Sequence, residues 1–250
     1  MTSARYAAMK ASAQAKEHAM GYDWQSAVAP PEGTPNRHLG VRFDQNGRFL
    51  REEGNTIVAQ VIPGSATEQA LVRVREELMA LPFARHFAFT DIPSYHMTVF
   101  EGVIETRRAA GFWPAALPLD IGIDAATEAM AGMLHDLPPL PAFAIRPVAV
   151  TPFGLILSGA TEADESAVRH WRDMLSRALG YRTPTHDSYR FHTTLAYAHT
   201  WLPKDALPIY STALEQLSRD LLERLPTLDL ARPAFCRFRD MNAFPPVLGL

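Results

Sequence analysis

Two short stretches set a histidine and a threonine two apart in apolar company: SYHMTVFEGV, residues 94–103, and RFHTTLAYAH, residues 190–199. Side chains two apart on a strand share a face, so His96 projects with Thr98, and His192 with Thr194. Tyr95, Met97 and Val99 then face the other way, as do Phe191 and Leu195, toward a core. Two imidazoles and two hydroxyls meeting in one cleft suit acid–base chemistry on a phosphodiester. A neutral imidazole takes a proton from the attacking water or hydroxyl, and an imidazolium protonates the leaving oxygen. The hydroxyls hydrogen-bond the non-bridging phosphate oxygens and place the phosphorus between the rings. Such chemistry calls for no metal and no cofactor. The bare pattern decides little, because nine histidines yield about one His-x-Ser/Thr triplet by chance. A third copy, His186-Asp187-Ser188, sits in the polar run RTPTHDSYR with no strand alternation.

What separates the two principal copies is the chain that must position them. SATEQALVRVREELMAL reads as a helix, with Ser65 and Glu68 as a capping box and Leu71, Val74, Leu78 and Leu81 on one face. TEADESAVRHWRDMLSRALG reads likewise, with Thr161 and Asp164 at its start and Val168, Trp171, Leu175 and Ala178 as its stripe. Ser65 precedes His96 by 31 positions and Thr161 precedes His192 by 31, so a shift of 96 superposes cap on cap and motif on motif. The repeated unit is strand, helix, strand, a domain-scale repeat. Around it, the Asn46-Gly47 pair predicts a hairpin before the strand that ends in IVAQVIP. FAIRPVAV and FGLILSG predict two strands meeting near Thr151-Pro152, helices are expected near 124–136 and 205–225, and PAFCRFRDM closes the chain as a strand.

The architecture this predicts is α+β and bilobal: two pseudo-symmetric lobes, each a mostly antiparallel sheet backed by helices, around a central cleft. Residues 1–37 form an N-terminal arm, beginning in an alanine-rich, weakly helical stretch, and 38–250 a single domain. Within it lobe one covers about 38–103, a bridge about 104–141, and lobe two about 142–250.

Composition narrows the partners. The hydrophobic fraction of 47% and charged fraction of 20% are those of a globular chain. A net charge of −3 argues against gripping an extended polynucleotide through many phosphates. No run of 18 apolar residues exists to span a membrane, and the N-terminus lacks the apolar core of a secretory signal. The single cysteine, Cys236, rules out an intramolecular disulfide and a cysteine-based zinc cluster, in keeping with a cytoplasmic setting. The remaining histidines show no His-x-x-x-His spacing for a dedicated metal site. A monomer is the default expectation.

HMTV and HTTL, each on the last strand of a repeated unit, resemble the two-histidine (2H) phosphoesterase superfamily, which includes RNA 2′,3′-cyclic phosphodiesterases and 2′-5′ RNA ligase-like proteins. VRFDQNGRFLREEGNTIVAQV and FCRFRDMNAF are further similar to a bacterial branch of it. The resemblance covers roughly residues 38–245. It implies a bilobal fold with a central cleft, His96 and His192 as the acid–base pair, and Thr98 and Thr194 as phosphate ligands; it carries over no substrate, and a small nucleotide or RNA end is the partner expected. Which histidine is the base stays open. A cleft that binds nucleotide or RNA ends without turnover is the alternative.

Further candidates follow from parity. Arg190 shares a face with His192 and is placed to reach a phosphate, and Ser94 occupies the equivalent position in the first copy. Tyr197 and Tyr95 are candidates to stack on a base, although alternation groups both with the core-facing set. Arg237 and Arg239 would add positive charge, and Asp91 and Asp187, each five residues before a site histidine, would orient an imidazole.

Overall fold

The stretches with period-two alternation become strands, and the capped helices lie between them, in the computed structural model, which describes residues 22–138 and 140–250. The helix expected at the N-terminus lies, up to residue 21, outside the described residues. In chain order the elements are α1 (Trp24–Val28), β1 (Gly54–Gln60), α2 (Ala66–Ala80), β2 (Phe87–Phe89), β3 (His96–Ile104), α3 (Ile123–His135), β4 (Ile145–Thr151), β5 (Gly154–Gly159), α4 (Glu162–Leu179), β6 (His192–Thr194), β7 (Ala196–Ala198), α5 (Leu207–Arg224), β8 (Ala234–Phe238) and β9 (Pro246–Gly249). Both helix starts read from the sequence are real. Thr161 and Asp164 form a complete capping box on α4. On α2 the box is half of that: Ser65 accepts from the Glu68 amide at 3.2 Å, while the Glu68 carboxylate accepts from Gly64 N–H at 2.8 Å.

Seven strands form one sheet in the order β4-β5-β6-β3-β1-β8-β9, every neighbouring pair antiparallel, and β2 with β7 makes a second, two-stranded sheet. The fold is thus α+β with antiparallel pairing, as expected. The repeat shows directly in the registers. Gln60, Ala59 and Val58 of β1 face His96, Met97 and Thr98 of β3. Ile156, Leu155 and Gly154 of β5 face His192, Thr193 and Thr194 of β6. All six positions are related by the same shift of 96, so β1-α2-β3 and β5-α4-β6 are one structural unit used twice. The two units meet where Met97 pairs with Thr193, which makes their sheets continuous.

The C-terminal chain returns to the first unit. β8 pairs along β1, Thr56 opposite Cys236, and β9 follows outside it. Although its sequence position suggests lobe two, β8 thereby covers the edge of β1, whose amides and carbonyls would otherwise lack partners. At Asn46-Gly47 the turn forms, with Gly47 at φ 75, but its flanks share only the single bridge Phe43 to Phe49. The Asp44 carboxylate accepts the Asn46 and Arg48 amides there and holds the turn without strands.

Alternation then divides the sheet into two faces. Ile57, Ala59, Met97, Val99, Leu155, Leu157 and Leu195 join the main core, with Leu71, Val74 and Leu78 of α2, Met130 of α3, Val168, Trp171 and Leu175 of α4, and Tyr210 and Leu214 of α5. Val58 points to the opposite face and packs with Cys236, Phe238, Met241 and Phe244. The histidines and threonines of both motifs belong to that second face.

Candidate active site

Carrying the Met97–Thr193 register one residue to either side sets His96 beside Thr194 and Thr98 beside His192. Met97 and Thr193, almost wholly buried, point into the core, so the four polar side chains share the opposite face. They form a two-by-two array with the histidines on one diagonal. Directly opposed residues in such a ladder stand about 5 Å apart and diagonal ones about 7–8 Å, a span that holds one phosphate between two rings.

Both rings are held the same way. His96 Nδ1 donates to the Ser94 carbonyl at 2.6 Å, and His192 Nδ1 donates to the Arg190 carbonyl at 2.9 Å. A carbonyl only accepts, so each neutral ring carries its proton on Nδ1 and presents Nε2 as the basic nitrogen. The repeat therefore extends to the tautomer, because the residue two before each histidine turns its carbonyl back onto the ring.

The environments differ. Gln60, the register partner of His96, donates from Nε2 to the Phe244 carbonyl at 2.8 Å. Phe244 in turn lies edge-on against the His96 ring, centroids 4.3 Å apart. That cover leaves His96 half-buried, and burial brings its imidazole down to about 4, with the nearby His192 pushing the same way against the Ser94 hydrogen bond. In the second unit the Gln60 position is Ile156, which holds no such cover, and His192 is exposed. The recess beside His96 is lined by Thr98, Glu101, Arg107, Tyr189, Phe238 and Phe244. The one beside His192 is lined by Tyr22, Thr151, Phe153, Arg190 and Thr194.

The other residues singled out in the sequence fall into three groups. Arg190 lines the His192 recess, its guanidinium over the Tyr22 ring at 5.3 Å. The Ser94 side chain is buried and its hydroxyl donates to the Asp91 carbonyl at 2.6 Å, so Ser94 serves the site through its backbone. Tyr95 is core, as alternation indicates. Tyr197 departs from its expected parity: the chain bends at Leu195, β7 leaves the main sheet to pair with β2, and the alternation restarts. Its ring consequently lies against Phe49, centroids 5.9 Å apart, with the Arg42 guanidinium 5.0 Å from the ring centroid. Arg237 is engaged with Glu53 at 3.3 Å and Asp124 at 2.6 Å, and Arg239 is exposed. Asp187 pairs with Arg182. Neither it nor Asp91 orients an imidazole, since the backbone does.

Tyr189 escaped the sequence reading. It precedes β6 in a stretch without alternation, yet its ring lies 5.9 Å from that of His192 and lines the His96 recess together with Thr98. Phe244 and Tyr22 were missed for the same reason: both lie in irregular segments that carry no period.

Residues 42–156 match the family model 2H-phosphodiest, described as a domain of unknown function (DUF1868). The matched stretch holds His96 and Thr98. No curated protein matches. Among solved structures, the crystal structure of a conserved protein of unknown function from Agrobacterium tumefaciens is similar over 91% of this chain and 99% of that one, with a TM-score of 0.89 and 41% sequence identity.

Proposed function

The chain belongs to the 2H phosphodiesterase family, and on that premise we propose that it is a metal-independent phosphodiesterase cleaving a cyclic phosphate or a nucleotide-derived phosphodiester. The observation that carries this reading is the diagonal His/Thr array, with both rings held in the Nδ1–H tautomer by equivalent carbonyls.

The unequal surroundings of the two rings divide the labour. His96, kept neutral by burial, is the general base: its Nε2 takes a proton from water as the water oxygen bonds to phosphorus. His192, open to solvent, is the general acid: its protonated ring gives the Nε2 proton to the departing ester oxygen as the P–O bond breaks. Water is thereby added across that bond, a cyclic phosphate yields a phosphomonoester and a free hydroxyl, and proton exchange with solvent resets the rings. Thr98 and Thr194 hold the non-bridging oxygens, and Arg190 balances negative charge on the His192 side.

The test is turnover of a 2′,3′-cyclic mononucleotide in excess EDTA. Activity is expected to persist, and His96→Ala and His192→Ala are each expected to lower kcat/KM by about 10² to 10⁴. Near wild-type rates in either variant would overturn the mechanism, and loss of activity on chelation would replace it with a metal-dependent one. Calorimetric binding of the nucleotide without product release would make the cleft a binding site.

A further inference from the structure

A carboxylate stands on the same face as Thr98. The register between β1 and β3 shifts once beside the motif: Val58 faces Thr98 but Ile57 faces Phe100, which leaves Val99 as the extra residue of a bulge. The bulge moves the alternation on by one and brings Glu101, opposite Thr56, onto the face that holds His96 and Thr98. Groups from the second unit fix it there. Arg172 of α4, wholly buried, donates from Nη1 to the Val99 carbonyl at 2.7 Å, and the Tyr181 hydroxyl donates to the Glu101 carbonyl at 2.7 Å. The second motif has no such carboxylate, because the position 96 residues on is Tyr197, beyond the bend at Leu195.

Like charges repel, so a carboxylate beside a phosphate site calls for a different partner. Thr183 Oγ1 donates to one Glu101 oxygen at 3.3 Å and Arg107 Nη1 to the other at 3.4 Å. Both contacts are long, and a carboxylate offers about four acceptor positions, so about half remain open. The side chain is 21% exposed and lines the recess that it shares with His96, Thr98, Tyr189 and Phe244. At about 110 Å³ the recess is well below the roughly 300 Å³ that encloses a whole drug-sized ligand, and it takes one edge of a substrate.

Resting on the phosphodiesterase reading, we propose that Glu101 determines specificity by accepting a hydrogen bond from a free sugar hydroxyl of the substrate and repelling a phosphate at that position. Thr98 stands beside His192 in the ladder, so β3 carries Glu101 onward from the end of the array where the leaving oxygen is protonated. Glu101 follows Thr98 at the spacing of two ordinary strand residues, about 7 Å, within reach of the departing alcohol. In a nucleoside 2′,3′-cyclic phosphate that alcohol is the ribose, whose one free hydroxyl is the 5′-hydroxyl. A carboxylate only accepts, so it pairs with that hydroxyl and opposes an anion in its place. The substrate class is then a mononucleoside cyclic phosphate with an unphosphorylated 5′ end. The end of an RNA chain, whose terminal ribose carries a phosphodiester at that oxygen, is refused.

Three matched probes test this: adenosine 2′,3′-cyclic phosphate, its 5′-deoxy analogue and its 5′-phosphate. Wild type should show kcat/KM at least about tenfold higher for the first than for either of the others, the value of one hydrogen bond to a charged group. That comparison needs no variant to fold. In Glu101→Gln, which keeps the shape of the side chain, the advantage over the deoxy analogue should shrink to within about threefold. The handicap of the 5′-phosphate should fall by at least about threefold, the effect of one unit charge at about 7 Å in water. A merely structural role would lower all three rates alike and leave their ratios unmoved. Equal rates on the three probes in wild type, or ratios unchanged in Glu101→Gln, would overturn the proposal and leave the phosphodiesterase reading standing. If no probe is turned over, their affinities are measured by titration calorimetry. The same order and the same response to Glu101→Gln would then keep the assignment of the recess and remove the catalytic reading, whereas no difference in affinity would overturn both.

Discussion

Replacing His96 with glutamine should abolish turnover and at the same time make the protein more resistant to acid. The imidazole titrates near 6.5 in an unfolded chain and at about 4 in the fold, because burial under Phe244 disfavours its charged form. Between those values the unfolded chain binds a proton that the folded protein refuses. Stability contributed by the neutral ring is therefore complete above pH 6.5 and declines as pH falls toward 4. For one group shifted from about 6.5 to about 4, the loss is about 2 kcal/mol at pH 5 and close to nothing at pH 7.5. Glutamine has no such proton. At pH 7.5 the variant should be less stable by about 1 kcal/mol, having lost the edge-on aromatic contact. At pH 5 that deficit should reverse, the difference moving in favour of glutamine by about 2 kcal/mol. In melting temperature this is a swing of about 4–8 °C for a chain of this size. Burial also brings His38 down to about 4 and lowers His86 and His186, but those contributions are common to both proteins and cancel. Thermal melts of wild type and variant at pH 5 and pH 7.5 provide the comparison. A difference that does not move with pH would mean that His96 is solvated, and the case for it as the ready-made base would go with it.

Gly154→Ala should disable the site from beneath: at φ 135 its Cβ would stand 2.1 Å from the Thr193 carbonyl oxygen, so β5 must part from β6 where Thr194 is placed. A fall in kcat/KM of at least about tenfold, with a lowered melting temperature, is expected, and a variant with normal activity would contradict the assigned register. Gly132→Ala is the counterpart, since an added Cβ meets nothing within 4 Å on the exposed face of α3; it should stabilise by about 1 kcal/mol in a urea melt without altering activity. Glu52→Gln leaves Arg42 without its carboxylate in a mostly buried setting. It should cost about 3 kcal/mol by the same measurement, and a neutral result would mean that Arg42 finds another partner.

How much of this the sequence revealed follows from the range of each interaction. Helix caps and strand alternation are settled within a few residues, so Ser65, Thr161 and the faces of β3 and β6 were legible. The equal spacing from cap to histidine also carried the repeat, and the structure turns that spacing into paired registers, Gln60 with His96 and Ile156 with His192. Alternation failed where its premise failed. Tyr197 was assigned to the core by counting through Leu195, but the bend there ends one strand and starts another in a different sheet. β8 beside β1 was out of reach, since pairing across some 180 residues leaves no local pattern. The carbonyls that hold the imidazoles were hidden too: side-chain candidates were weighed for that task, and the backbone performs it.

The residues that escaped the sequence reading are also the ones that make the site asymmetric. A duplicated strand–helix–strand unit supplies two rings with the same tautomer, equivalent register positions and the same face. Left so, they would have equal proton affinities, and a base and an acid must differ. The difference comes from chain outside the repeat. Phe244, from the loop between β8 and β9, covers one ring. Tyr22, ahead of α1, lines the recess beside the other, which stays open. Within the unit, Gln60 in place of its counterpart Ile156 serves this end, because it binds the Phe244 carbonyl. Duplication thus accounts for where the two histidines stand, and the irregular segments account for why one is dry and the other wet. A chain keeping both motifs but lacking Phe244 would hold the array without its bias, so Phe244→Ala should bring the proton affinity of His96 back toward that of an ordinary imidazole. Histidine ring resonances followed by NMR from pH 4 to 8 would show it, and a His96 titration that stays at the wild-type position would place the cause of the shift elsewhere.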